Sequence, residues 1–266
     1  MKFLSKIYMT LIFLFLYAPI FVLMTFSFNN SKSRVIWSGF TFRWYTRLFE
    51  NIEILSAFYN TIIIASVSAV IATILGTAAA VGIAKSKKWT KRLMMNVTNL
   101  PMINPEIVTG VSLMLLFVFL YNKFGILKPG LLTLIISHTT FCLPYVILSV
   151  MPKFRQMDSH IYEAAMDLGC SPVRAFFKVV MPQIMPGIIT GMIMSFTMSI
   201  DDFVISYFVG GMTQTLPIAV YSMTRKIVSP EINALSTLLF LSVFILLIVI
   251  NVRQARDKKT QRNQLY

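Results

Sequence analysis

From Ile7 to Phe28 the chain runs for 22 residues without one charged side chain. A helix needs ~20 such residues to cross the hydrocarbon core of a bilayer. Five further apolar runs lie at residues 58–84, 93–121, 131–151, 184–208 and 231–252. In lipid every backbone N–H and C=O must be paired within the protein, so runs of this length are read as helices. The ten-residue alternating segments of a transmembrane β-barrel do not occur. The expected fold is an all-α membrane protein with six transmembrane helices, forming one transmembrane domain over residues 1–266. The run at 7–28 is longer than a signal peptide's apolar core and no A-x-A-like site follows it, so it is expected to be a retained span.

Composition agrees. Hydrophobic residues make up 56% of the chain and charged residues 13%, with a mean hydropathy of +0.73. A soluble domain carries about twice that share of charge. The net charge of +14 would suit nucleic acid, but its placement follows the positive-inside rule. With the N-terminus inside, segments 1–6, 85–92, 152–183 and 253–266 hold 16 of the 24 Lys and Arg residues. The outside segments 29–57, 122–130 and 209–230 hold the other eight. Both termini are therefore expected in the cytoplasm, with membrane lipid and not nucleic acid as the surrounding partner. Cys142 and Cys170 make neither a disulfide framework nor a metal-ligand spacing, and no catalytic or metal site is expected.

Local patterns refine the spans. Phe42, Tyr45, Leu48 and Phe49 recur at helical spacing within 29–57 and predict a short interfacial helix. Gly76, Ala80 and Ala84 form a small-residue face suited to close helix packing. Pro101 and Pro105 interrupt the third run around Asn104 and Glu106. His138, inside the fourth run, is expected to hydrogen-bond to a neighbouring helix.

The polar segment 152–183 has its own architecture. Asp158 is placed to cap a helix, and Ile161, Ala164, Ala165 and Leu168 fall on one face of it. Gly169 is placed to end that helix in the left-handed region, Ser171 to cap a second, and Pro172 to begin it. Pro182 and Pro186 are expected to bend the chain into the fifth span. The product is a rigid cytoplasmic helix–turn–helix. On residues alone it is either a docking surface or an amphipathic helix resting on lipid.

Acids inside spans are costly and mark solute pathways by default. Glu106, Asp201 and Asp202 are the candidates. Adjacent helical residues project ~100° apart, so the two aspartates cannot both point squarely into one groove. Gly210-Gly211 would let the helix end unwind and bring both toward a cavity. Such a cavity suits a cationic solute, and Trp37, Trp44, Tyr45, Tyr207 and Tyr221 would add cation–π contacts of ~0.5–2 kcal/mol each. No cations cluster within the spans, which argues against an oxyanion. Helix capping is the competing reading for Asp201 and Glu106. Interface anchoring is the competing reading for Trp44 and Tyr45.

Glu163-Ala164-Ala165, three residues, Gly169, nine residues, then Val179-Val-Met-Pro182 resembles the EAA signature of ABC importer permeases of type I. The departures at Val179 and Met181 are conservative. The resemblance implies the ABC type I importer permease fold, with 152–183 docking into a cytoplasmic ATPase. Glu163, Ala164, Ala165, Asp167 and Gly169 would be the coupling residues. The chain lacks a G-x-x-x-x-G-K-[ST] loop, so no cofactor is expected on it; ATP and Mg would bind a partner ATPase dimer. Trp37-x-Gly-Phe-Thr-x-x-Trp44-Tyr45, Pro105-Glu106-Ile107, Ser199-x-Asp201-Asp202-Phe203 and Leu216-Pro217-x-x-x-Tyr221 are similar to the second permease subunit of spermidine/putrescine importers. That family more often has Pro-Asp where this chain has Pro105-Glu106. This resemblance implies a polyamine pathway along Trp44, Glu106, Asp201, Asp202 and Tyr221, in a bacterial inner membrane. It also implies a homologous permease partner and an extracytoplasmic polyamine-binding protein. An ABC permease for iron, thiamine or an amino acid, or an ion-coupled secondary transporter using the same acids, are the alternatives.

Overall fold

The computed structural model describes residues 2–31, 36–158, 160–225, 230–242, 244, 245 and 248. Helices follow in the order α1 (Lys2–Ser27), α2 (Arg43–Glu50), α3 (Ile52–Lys85), α4 (Lys88–Ile103), α5 (Glu106–Phe124), α6 (Leu131–Gln156) and α7 (His160–Asp167). Then come α8 (Pro172–Ala175), a π-helical turn (Phe176–Val180), α9 (Met181–Asp201), α10 (Val204–Val209), α11 (Leu216–Arg225) and α12 (Glu231–Ser242). No strand occurs among the described residues; Asn29 and Phe40 form one isolated bridge. Five stretches are long and apolar enough to cross a membrane: Lys6–Ser27, α3, α5, α6 and the continuous helix Pro172–Asp201. Most of the predicted sixth span beyond Ser242, and the whole basic tail, lie outside the described residues.

Several boundaries differ from the sequence reading, three of them with a local cause. Residues 52–57, expected in a loop, open α3, because the Asn51 side chain accepts the N–H groups of Glu53 and Ile54 at 3.1 and 3.3 Å. The predicted third span at 93–121 is two helices. Pro105 removes a donor and Asn104 turns extended, so α4 stops at Ile103 and α5 alone has spanning character. The predicted fifth span ends at Asp201 and not at residue 208, because Asp202 leaves the helix with ψ 116°.

The chain divides into two compact units, one of them Ser56–Ala219 and the other formed from the two ends. In the first, α6 and α9 run antiparallel in a four-residue register. Gly187 meets Ser149 and Val150, Gly191 meets Val146, Ser195 meets Cys142 and Ser199 meets His138. A Cβ on Gly187 would lie 2.8 Å from the Ser149 carbonyl oxygen, and one on Gly191 would lie 3.0 Å from Val146 Cα. Without a hydrophobic driving force between helices in lipid, such close approach supplies the dispersion energy that holds them. α3 joins the same core through Gly76, whose missing Cβ leaves room for Val146, and through the fully buried Ala72 and Ala80. The small-residue face expected on α3 is the packing face. The Ser68 hydroxyl donates to the Ile135 carbonyl at 3.1 Å, tying α3 to α6. Gly110 lets α5 close on Ile205 and Phe208 of α10.

In the second unit α2 packs by Trp44 and Leu48, 2% and 4% exposed. The Trp44 indole N–H donates to the Asn29 carbonyl at 2.7 Å, and the Asn29 side chain holds Ile36 and Ser38 of the following loop. Ser27 and Tyr45 share a hydrogen bond at 2.7 Å. Phe28, Phe40, Phe42 and Tyr45 stack around this joint.

Candidate functional site

The two adjacent aspartates have opposite environments. Asp201 is the last residue of α9 and is exposed. It sits at the negative end of that helix, where a carboxylate is unfavourable by ~0.3–1 kcal/mol, so α9 gains nothing from it. Asp202 is buried, with 2% of its side chain exposed. Its carboxylate accepts the N–H of Ile205 at 3.3 Å, the N–H of Ser206 at 2.9 Å and the Ser206 hydroxyl at 3.0 Å. Asp202 thus satisfies donors at the start of α10, and the capping role considered for Asp201 falls to its neighbour.

His138 completes this joint. Its Nδ1 is 2.6 Å from Ser199 Oγ, its Nε2 is 3.0 Å from Ser206 Oγ, and the same Nε2 is 3.5 Å from Asp202 Oδ2. One imidazole therefore bridges α9, α10 and the break between them. His138 was expected to bond a neighbouring helix; it bonds two helical segments. The break falls at Asp202-Phe203, seven residues before the Gly210-Gly211 pair expected to provide it. Gly211 instead closes against Pro129, in a left-handed turn with φ +57°.

Glu106 opens α5 and is exposed, in the first turn where the helix dipole favours it. It lies within electrostatic range of Asp201 and Asp202. Tyr145 of α6, half-buried, lies within range of Glu106 and Asp201. The fold thus places Glu106, at the start of α5, in electrostatic range of Asp202 and Asp201 at the end of α9, with the Tyr145 phenol in range of Glu106 and Asp201. Neither acid makes an ion pair among the described residues, so their charge is open to a cationic ligand. Tyr145 was missed by the sequence reading; its hydroxyl is one of several polar groups in the fourth span, beside Thr133, Ser137, His138 and Thr140, and nothing local sets it apart. Tyr207 on α10 is exposed and packs edge-on against Phe208.

Trp44 and Tyr221 belong to the other unit. Trp44 is buried and uses its polar N–H internally, while Arg43 and Arg47 cover its ring at 5.9 and 5.5 Å. Tyr221 is exposed on α11, with Arg225 5.0 Å from its ring centroid.

The polar segment folds largely as its residues dictate. Asp158 Oδ1 accepts the His160 N–H at 3.0 Å, capping α7. Gly169 sits at φ +85°; its N–H reaches the Met166 carbonyl at 2.9 Å and the Cys170 N–H reaches Ala165 at 3.1 Å. This pair of bonds is the Schellman termination. Glu163, Ala164 and Asp167 are exposed, as are Ile161 and Leu168, the latter at 87%. Ala165 turns inward with Tyr162 and leaves the outer face. The Ser171 hydroxyl makes no capping bond; α8 begins on the fixed φ of Pro172 alone. Pro182 does not break the chain. The preceding turn widens to the π form, with Met181 N–H reaching back to Phe176, and the helix continues unbroken for 30 residues from Pro172 to Asp201.

Spanning helices with acids held at their ends, and an exposed helix on a glycine-terminated turn, define a multi-pass helical membrane protein built around a polar joint. The chain belongs to the family described as binding-protein-dependent transport system inner membrane component, whose profile matches residues 72–257. It is 40% identical over 251 residues to the putrescine transport system permease protein PotI of Escherichia coli strain K12, covering 93% of this chain and 89% of that one. It is 38% identical over 252 residues to the spermidine/putrescine transport system permease protein PotC of the same strain, covering 94% and 93%. Its fold resembles a bacterial ABC transporter involved in the import of the acidic polysaccharide alginate, with TM-score 0.69, 15% identity and 95% of each chain covered. An amino acid ABC transporter matches with TM-score 0.51 and 20% identity, over 80% of this chain and 99% of that one. The chain therefore has the ABC importer permease fold and is a permease subunit of such an importer.

Proposed function

We propose that this permease conducts polyamines inward as one half of a two-subunit pathway in a bacterial inner membrane. The observation that carries the reading is the pair Glu106 and Asp201, two exposed carboxylates at the ends of apolar helices, without ion-pair partners among the described residues and in electrostatic range of each other. A polyamine carries two to four ammonium groups along a flexible chain, and separated carboxylates recognise that pattern. The names of the relatives at 40% and 38% identity supply the same cargo class.

The power stroke enters at α7. A separate ATPase dimer would grip the outer face formed by Ile161, Ala164, Leu168, Glu163 and Asp167. The rod Pro172–Asp201, 30 residues or ~45 Å long, would carry the displacement to Asp201. Rigid-body rocking of such elements alternates access to a site between the subunits. An extracytoplasmic binding protein would deliver the solute, and ATP and Mg would stay on the ATPase.

The test is uptake of radiolabelled putrescine and spermidine by proteoliposomes holding this chain with its partner subunits. Uptake should require ATP inside the ATPase compartment and be outcompeted by polyamines, not by iron, thiamine or amino acids. Uptake by this chain alone on an ion gradient would overturn the reading.

A further inference from the structure

A cavity of about 250 Å³ lies behind α7, lined by Val81, Ala84, Phe154, Met157, Phe176 and Val180 on its apolar side. Three cations, Lys85, Lys91 and Arg155, complete its wall, and Tyr162 of α7 stands beside them. Lys85 and Arg155 are exposed and Lys91 is half-buried. Among the described residues no acid lines the cavity, and none of the three cations makes an ion pair. Lys85 Nζ lies 5.4 Å from the Tyr162 ring centroid, which links the end of α3 to α7. Three uncompensated cations around one cavity repel one another, and that repulsion is relieved by a bound anion. The apolar wall between helix ends selects an anion carrying hydrocarbon.

We infer that this cavity binds the phosphate headgroup of an anionic phospholipid of the cytoplasmic leaflet, seated between α3, α4, α6 and the coupling helix α7. Basic pockets between helix ends on that side of a membrane take such headgroups. The lipid would brace Tyr162 against Lys85 and so set the resting position of α7. The leaflet assignment rests on the cytoplasmic placement of α7 proposed above.

The test is native mass spectrometry of the full chain in detergent, titrated with phosphatidylglycerol or phosphatidylcholine of identical acyl chains. Phosphatidylglycerol should bind preferentially. At about fivefold per cation, the triple variant Lys85→Gln, Lys91→Gln, Arg155→Gln should weaken it on the order of a hundredfold. The pair Arg174→Gln, Lys178→Gln, cations of the same segment outside the cavity, should leave it unchanged. Equal retention of the two lipids, or unchanged binding in the triple variant, would overturn the site. Displacement by equimolar glycerol 3-phosphate or inorganic phosphate would overturn the lipid as the source while upholding a phosphate-anion site. Loss of the lipid on adding the ATPase would overturn it as a resident of the transporter. Labelling of Lys87→Cys by an impermeant maleimide in intact cells tests the leaflet separately. Reaction from outside would sink the topology but leave headgroup binding to stand or fall on the titration.

Discussion

His138 Nε2 lies 3.5 Å from Asp202 Oδ2 while its Nδ1 holds Ser199 at 2.6 Å, so one side chain of α6 fixes both sides of the break after α9. Removing either partner strands buried polar groups, at a cost of ~1–3 kcal/mol. His138→Ala and Asp202→Ala are each expected to lower the thermal unfolding midpoint of the purified permease. The double variant should lose less than the sum, because the two share Ser206.

Asp201 makes none of these contacts and sits at the unfavourable end of α9, so Asp201→Asn should leave the unfolding midpoint unchanged or raise it slightly. Glu106→Gln loses a favourable helix-dipole interaction but relieves repulsion from Asp202 and Asp201, so it should shift stability by less than ~1 kcal/mol. Each removes one carboxylate from the proposed path and is expected to raise KM for putrescine about tenfold, the equivalent of ~1.4 kcal/mol. Kinetics of ATP-driven uptake check this. An unchanged KM in both would remove the acids from the path.

The α6–α9 register predicts a graded packing response. Gly191→Leu forces a side chain into Val146 and should cost ~1–3 kcal/mol. Gly82→Ala, at an open position within α3, should be neutral or stabilise by up to ~1 kcal/mol through helix propensity. Thermal unfolding in detergent compares the two directly.

Gly169 holds φ +85° with open space around its Cα. Gly169→Ala therefore adds backbone strain of ~1–2 kcal/mol without a steric clash. Fraying of the α7 terminus should reduce substrate-stimulated ATP hydrolysis by the assembled transporter while substrate binding persists. Glu163→Lys, on the exposed face, should produce the same loss with at most a small fall in unfolding midpoint, since it sets a cation in the first turn of α7.

Trp44→Phe keeps the ring and deletes the N–H that reaches the Asn29 carbonyl. A loss of ~0.5–1.5 kcal/mol in stability is expected, with KM for putrescine unchanged. A raised KM with normal stability would return Trp44 to the solute path.

The amino-acid sequence by itself determined the helical membrane class, the placement of α1, α3 and α6, the α7–Gly169 termination and the family signature. Each depends on local chemistry: lipid obliges a segment to satisfy its own backbone, and a cap or a left-handed glycine acts within a few residues. The stripe Gly187, Gly191, Ser195, Ser199 was also present to be read, yet its meaning lay in α6, whose matching register no local pattern reveals. Only the tertiary structure separated Asp201 from Asp202. Their sequence contexts are nearly identical, and the difference comes from His138, more than sixty residues away, which places the break one residue after Asp201. That contact turns one acid inward to hold the joint and leaves the other at an exposed helix end within range of Glu106. The physical reason is that a buried carboxylate must find donors, and which of two neighbours finds them depends on what the opposing helix offers.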